Sequence, residues 1–120
     1  MSVTSTRQIT LTQIGDNLNN SISVSAASNG SAPGDIDVFG LSAGDNTLTL
    51  PTGGTTPSGA TLIPPAGNTQ TLTLKGVGGD TGIRLSKVDP TSISFDSAAL
   101  PANIIVNAGG TVNGFRVVWT

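Results

Sequence analysis

Along the whole chain, short stretches alternate small polar side chains with aliphatic ones, and Gly, Pro, Asn or Asp interrupts each stretch before a helical period can build up. A period of two puts every second side chain on the same face of a strand, whereas a helix needs a period of 3.6 sustained over ~12 residues. Residues 6–13 set Thr6, Gln8, Thr10 and Thr12 against Ile9 and Leu11. Residues 20–26 set Ser21, Ser23 and Ser25 against Ile22, Val24 and Ala26. In 35–41, Ile36 and Val38 fall opposite Asp35, Asp37 and Phe39, and in 69–75 Leu72 and Leu74 fall opposite Thr71 and Thr73. The last stretch alternates Phe115, Val117 and Trp119 with Arg116 and Val118. No segment carries a helical stripe; 97–100 has room for one helical turn and no more.

Turn chemistry separates these stretches at intervals that suit strands rather than helices. Gly15-Asp16-Asn17, residues 28–34, Ala43-Gly44-Asp45-Asn46, Asp89-Pro90-Thr91, Ala108-Gly109-Gly110 and Asn113-Gly114 all read as turns or loops. Pro51 and the Pro64-Pro65 pair end strands, because proline cannot donate to a ladder. The expectation is an all-β chain: one antiparallel β-sandwich domain over residues 1–120, with about eight to ten short strands. Jelly-roll and immunoglobulin-like connections both fit the spacing. Residues 1–6 are read as a mobile N-terminal arm or a partner-binding strand. The closing strand reaches Thr120, so the C-terminus is expected to be fastened into a sheet.

Composition narrows function by what is missing. Charged residues make up 10% of the 120 positions and aromatics 3%, with no Cys, no His and no Glu; mean hydropathy is +0.13. Disordered chains carry high charge and low hydrophobicity, so this chain is expected to fold around an aliphatic core. Absence of Cys removes disulfides, thiolate nucleophiles and cysteine metal sites; absence of His removes Ser-His-Asp chemistry and imidazole ligands. The net charge is -2, and the basic residues Arg7, Lys75, Arg84, Lys87 and Arg116 are dispersed. No nucleic-acid or anionic-membrane partner is expected from that distribution. The start of the chain has no apolar run of the signal-peptide kind, and no stretch approaches the ~20 apolar residues of a spanning helix. The Met1 start is read as that of an unprocessed product made in the cytoplasm. The sequons at Asn19-Asn20-Ser21 and Asn29-Gly30-Ser31 are read as coincidences of an Asn- and Ser-rich chain.

Four strings invite a chemical reading. Asp80-Thr81-Gly82 spells the catalytic triplet of aspartic proteases, in which two chains each supply one carboxylate and share a proton. Here Gly78-Gly79 precede it where a buried hydrophobic strand is needed, and Ile104-Ile105-Val106 is followed by Asn107 rather than Gly. A homodimeric protease using Asp80 is therefore a remote alternative, and the triplet is read as a loop. Asp35-Ile36-Asp37 puts two carboxylates on one strand face, fit for Ca²⁺ or glycosidase chemistry but read as a solvated face, because calcium takes six to eight oxygens. Gly76-Val77-Gly78-Gly79-Asp80 lacks the Lys-Ser/Thr ending of a phosphate loop and is read as a hairpin or bulge needing positive φ. Trp119 is read as core. No catalytic, cofactor-binding or metal-binding residue is assigned, no cofactor is expected, and the chain is expected not to be an enzyme.

One resemblance runs through the second part of the chain. It is carried by Leu62-Ile63-Pro64-Pro65-Ala66-Gly67-Asn68-Thr69, then Leu72-Thr73-Leu74-Lys75-Gly76-Val77 and Gly79-Asp80-Thr81-Gly82. It continues through Asp89-Pro90-Thr91-Ser92-Ile93, Gly109-Gly110-Thr111-Val112 and Phe115-Arg116-Val117-Val118-Trp119. This resembles small all-β structural proteins of tailed-bacteriophage virions, over roughly residues 40–120; residues 7–26 depart from it. The matching strings are strand and turn patterns without functional residues to carry over. The resemblance implies a virion protein made in the host cytoplasm: a capsid decoration, head-fibre or tail-associated component, homo-oligomeric and packed on other virion proteins. The alternative is a receptor- or carbohydrate-binding module of a fibre tip, which needs exposed aromatic rings or bound calcium.

Overall fold

The computed structural model describes residues 36–51, 57–96 and 98–120, together with the strand pairing of 3–15 and 18–30. The described residues are all-β. Strands β1 (Val3–Gly15) and β2 (Leu18–Gly30) form a two-stranded antiparallel ribbon. Then follow β3 (Ile36–Leu41), β4 (Gly44–Thr49), β5 (Gly59–Ile63), β6 (Leu72–Lys75), β7 (Ile83–Arg84), β8 (Thr91–Ser94), β9 (Asn103–Ala108) and β10 (Val112–Trp119). These eight make two antiparallel sheets, ordered β3-β10-β5-β8 and β4-β9-β6-β7.

The pairing follows one rule. β3 pairs with β10, β4 with β9, β5 with β8 and β6 with β7, so the chain from 36 to 119 is a nested hairpin folded about the 76–82 loop. Rolling that hairpin up adds two further pairings, β10 with β5 and β9 with β6. This is the jelly-roll form of the sandwich, and it settles the choice that strand spacing leaves open.

The core lies between the sheets. Leu41, Leu62, Phe115, Val117 and Trp119 come from the first sheet; Leu48, Leu72, Ile104, Val106 and Ala108 come from the second. Period-two alternation delivers them: β9 buries Ile104, Val106 and Ala108 and turns Asn103, Ile105 and Asn107 outward. The C-terminal residue is tied down as its strand suggests. Thr120 N–H donates to the Gly59 carbonyl at 2.9 Å, and the Thr120 carbonyl accepts from Ser58 and Gly59 N–H at 2.6 and 3.0 Å.

Several elements differ from the sequence-based reading. β1 starts at Val3, within the stretch read as arm or strand, and β2 continues to Gly30, into the expected 28–34 loop. Asp16 and Asn17 lie outside the described residues. Asn113-Gly114 is not a turn before a final strand. It is a bulge inside β10, where the register slips between Val112↔Leu41 and Phe115↔Phe39 and Gly114 takes φ +81°. Val112 and Phe115 are three residues apart, so strict alternation would send them to opposite faces; the extra residue lets both be buried. In the stretch with room for one helical turn, Ser97 lies outside the described residues, and Asp96 caps the turn around it. Ala98 N–H donates to Asp96 Oδ1 at 2.9 Å, and Ala99 N–H to the Asp96 carbonyl at 3.0 Å. β7 pairs only at Ile83 and Arg84, after which Leu85 N–H donates to the Leu72 carbonyl at 2.9 Å.

Two variants test this packing. Phe115→Ala removes a fully buried ring and is expected to cost about 3–5 kcal/mol in chemical denaturation. Gly82 has φ +72°, and a Cβ there would meet the Leu74 carbonyl oxygen at 2.5 Å. Gly82→Ala is therefore expected to destabilise by ~1 kcal/mol or more, whereas Gly67→Ala, with open space around its Cβ, loses only the intrinsic left-handed preference.

Candidate functional site

The two outward faces of the sandwich are built differently. On the β4-β9-β6-β7 sheet, pairing sets Asp45 beside Asn107, Asn107 beside Thr73 and Thr73 beside Arg84, one polar row across all four strands. Its members bind one another. Asn107 Nδ2 donates to Asp45 Oδ1 at 2.7 Å, and Arg84 Nε donates to Thr73 Oγ1 at 3.1 Å. Lys75, one row along on β6, reaches Asp45 Oδ1 at 3.0 Å. The Asn107 amide first, then the Lys75 ammonium, with a smaller share from the Gly79 N–H, hold the Asp45 carboxyl below its ordinary value of 3.8.

The hairpin loop of residues 76–82 flanks this row. Asp80 ties the loop together: Oδ2 accepts from Gly76 N–H at 3.3 Å and Oδ1 from Gly82 N–H at 3.2 Å. The Asp80-Thr81-Gly82 triplet is thus an exposed loop whose carboxylate is spent on its own backbone. Gly79 and Gly82 have the positive φ expected of that Gly-rich string. Beside the loop opens a cleft of about 320 Å³, walled by Leu74, Ile83, Pro101 and Ile104 with Lys75 and Asp80 among its polar lining. It can take a small apolar group.

The β3-β10-β5-β8 sheet presents the opposite chemistry. Ile36 and Val38 are 58% and 65% exposed. Pairing places Val38 beside Arg116, with Ile63 on the far side of Arg116, and Ile36 beside Val118, with Thr61 beyond it, so four β-branched aliphatic side chains share the outer face with a single charge, Arg116. The reading of Asp35 and Asp37 as a solvated face is corrected for Asp37; Asp35 lies outside the described residues. Asp37, Phe39 and Leu41 turn toward the other sheet, and Asp37 Oδ2 accepts a hydrogen bond from Trp119 Nε1 at 2.7 Å. A buried indole N–H needs an acceptor, and Asp37, directly paired with Val117, is in place to supply it.

Sequence reasoning missed this reversal. The signal was present: Phe39 and Leu41 share parity with Asp37, and two large apolar residues outweigh one carboxylate that has an indole to satisfy. Trp119 itself is fully buried, as read. Phe115 is buried and Phe39 and Phe95, half-buried, pack against the core, so the described aromatic rings all serve the core. Comparison with family models, curated proteins and solved structures returns no match for this chain.

Trp119→Phe keeps the ring and removes the donor, leaving a half-buried carboxylate without its partner. A loss of about 1–3 kcal/mol is expected in urea unfolding. Asp45 sets a pH dependence whose sign is fixed. Its folded pKa lies below 3.8, so the folded state favours the ionised form, and the stabilisation is complete above the ordinary value and lost as pH falls through the depressed one. Melting curves should therefore show Asp45→Asn less stable than the parent at neutral pH, with the gap closing below pH 3.8.

Proposed function

We propose that the chain is a non-enzymatic structural component of a bacteriophage virion, a capsid decoration or head-fibre/tail-associated protein that self-associates and packs on other virion proteins. The observation that carries the reading is the outer face of the β3 sheet. An antiparallel sandwich ordinarily turns polar residues to water, and here Ile36, Val38, Ile63 and Val118 occupy that face. Ile36 and Val38 are exposed there, with Val118 and Ile63 half-buried beside them, and exposed aliphatic surface of this kind marks a place where another protein sits. The jelly roll, a form used by viral capsid proteins, supports the reading, and so does the resemblance of residues 40–120 to phage structural proteins. The described acids also lean this way: Asp37, Asp45, Asp80, Asp89 and Asp96 all hold hydrogen bonds within the chain.

The receptor- or carbohydrate-binding reading has one observation in its favour, the Asp45-Asn107-Thr73-Arg84 row, since carboxylate, amide and guanidinium groups suit sugar hydroxyls. Those groups are already bonded to one another, and the described aromatic rings serve the core. Virion assembly is the better supported of the two.

Mass spectrometry of gradient-purified particles, made by the genome that encodes the chain, is expected to find it at a fixed copy number. Added back to particles lacking it, the purified protein should co-sediment, and Val38→Lys should weaken that binding while leaving the melting temperature unchanged. Absence from particles, together with glycan-array binding abolished by Asn107→Ala, would transfer the reading to the carbohydrate module.

A further inference from the structure

The sandwich has four edge strands: β3 and β8 in one sheet, β4 and β7 in the other. A free edge exposes unpaired N–H and C=O groups and invites another strand unless it is short, charged, bulged or covered. β7 has two residues. β8 has four, with Ser92 and Ser94 on its outer side. β4 opens on Gly44 at φ +101°, with the Asn46 amide folded back on the Ser42 and Gly44 carbonyls at 2.9 and 3.0 Å, and its outer face carries the Asp45–Lys75 ion pair. Among the described residues, β3 has none of these guards. It runs for six residues without Pro or Lys, its single charge turns inward to Trp119, and its outer residues are Ile36, Val38 and Gly40.

We infer that β3 is a strand-addition edge whose occupant is β3 of a second copy of the chain, paired antiparallel about a two-fold axis. This rests on the reading of the chain as self-associating and names the surface that does it. A second copy fits on the chemistry of the strand. An antiparallel strand is self-complementary about a two-fold axis. The outer face of β3 is uncharged, so two copies meet there without like-charge repulsion. Continuity of the sheet faces requires residues of equal parity to stand opposite each other. An axis through Asp37 would set two carboxylates face to face, which is unfavourable. An axis through Val38 instead sets Val38 against the partner's Val38 and Asp37 against the partner's Phe39. The two four-stranded sheets then become one of eight strands, and Ile36 and Val38 of both copies form a continuous aliphatic band extended by Val118 and Ile63.

The chain has no cysteine, so single-cysteine variants read the geometry directly. Opposed residues in an antiparallel pair bring their Cβ atoms to ~5 Å, within reach of a disulfide or a short bismaleimide. Val38→Cys is expected to yield a crosslinked dimer as the main product at high protein concentration. Ile63→Cys, two strands in from the seam, and Ser92→Cys, on the opposite edge, should yield roughly a tenth of that or less. Val38→Lys should shift the sedimentation profile toward monomer, with a melting temperature equal to the parent's in dilute, monomeric solution and below it where the parent is dimeric. Self-association that crosslinks through Ile63→Cys and survives Val38→Lys would overturn the edge while leaving the assembly reading intact. A chain that stays monomeric at every concentration and gives no crosslink at any position would overturn the edge and, with it, the self-association part of the function.

Discussion

An indole N–H enclosed in hydrocarbon must find an acceptor, and Trp119 finds it at 2.7 Å on Asp37. This one bond decides which way β3 faces. With Asp37 drawn inward, Phe39 and Leu41 follow it into the core, and Ile36 and Val38 are turned out. β3 is the outermost strand of its sheet and the first arm of the nested hairpin that rolls into the sandwich. Its orientation therefore sets both the packing at that end of the core and the chemistry of the surface beside it. A slip of one residue would bury Ile36 and Val38 at the expense of Phe39, Leu41 and the indole's partner.

β10 is the strand on which the rest is hung. It pairs with β3 on one side and β5 on the other, and it carries Phe115, Val117 and Trp119, the aromatic and β-branched centre of the core. The bulge at Asn113-Gly114 makes this possible. By shifting parity once, it lets Val112 face the core before the bulge and Phe115 after it. At the far end of the nested hairpin, the 76–82 loop closes its innermost pair of strands, with Asp80 holding both its ends and Gly82 fitting where a Cβ would strike the Leu74 carbonyl. The triplet that looks catalytic in the sequence has a structural reason to be spelled as it is.

How much of this could be read from the chain depended on range. Alternation and turn residues are local, so the all-β class, the strands within 69–75 and 115–119 and the core role of Trp119 were legible. The strand order was not, because a jelly roll and an immunoglobulin-like sandwich use similar strands with different partners, and partners are separated by up to eighty residues here. The bulge was misread because Asn-Gly is also the strongest two-residue turn signal; only the simultaneous burial of Val112 and Phe115 tells them apart. The candidate surface was hidden for the same kind of reason. Counting charge along residues 35–41 makes the Asp side look wet; Phe39 and Leu41 on that same side weigh against it, and Trp119, eighty-two residues away from Asp37, supplies the donor that lets the carboxylate turn inward.

The two outer faces now bear on function through contrast. On the β4-β9-β6-β7 sheet, the polar side chains complete one another: amide to carboxylate, guanidinium to hydroxyl, ammonium to carboxylate. Such a face is content in water, and a ligand would have to displace bonds already made. On the β3-β10-β5-β8 sheet, hydrocarbon faces water beside a strand that has a neighbour on one side only among the described residues. Aliphatic side chains gain from any burial, and unpaired peptide groups gain from one geometry only, that of another strand. On the proposed assembly edge the first would supply the drive to associate and the second the direction, and their meeting on β3 sets that proposal apart from surface hydrophobicity of the ordinary, scattered kind.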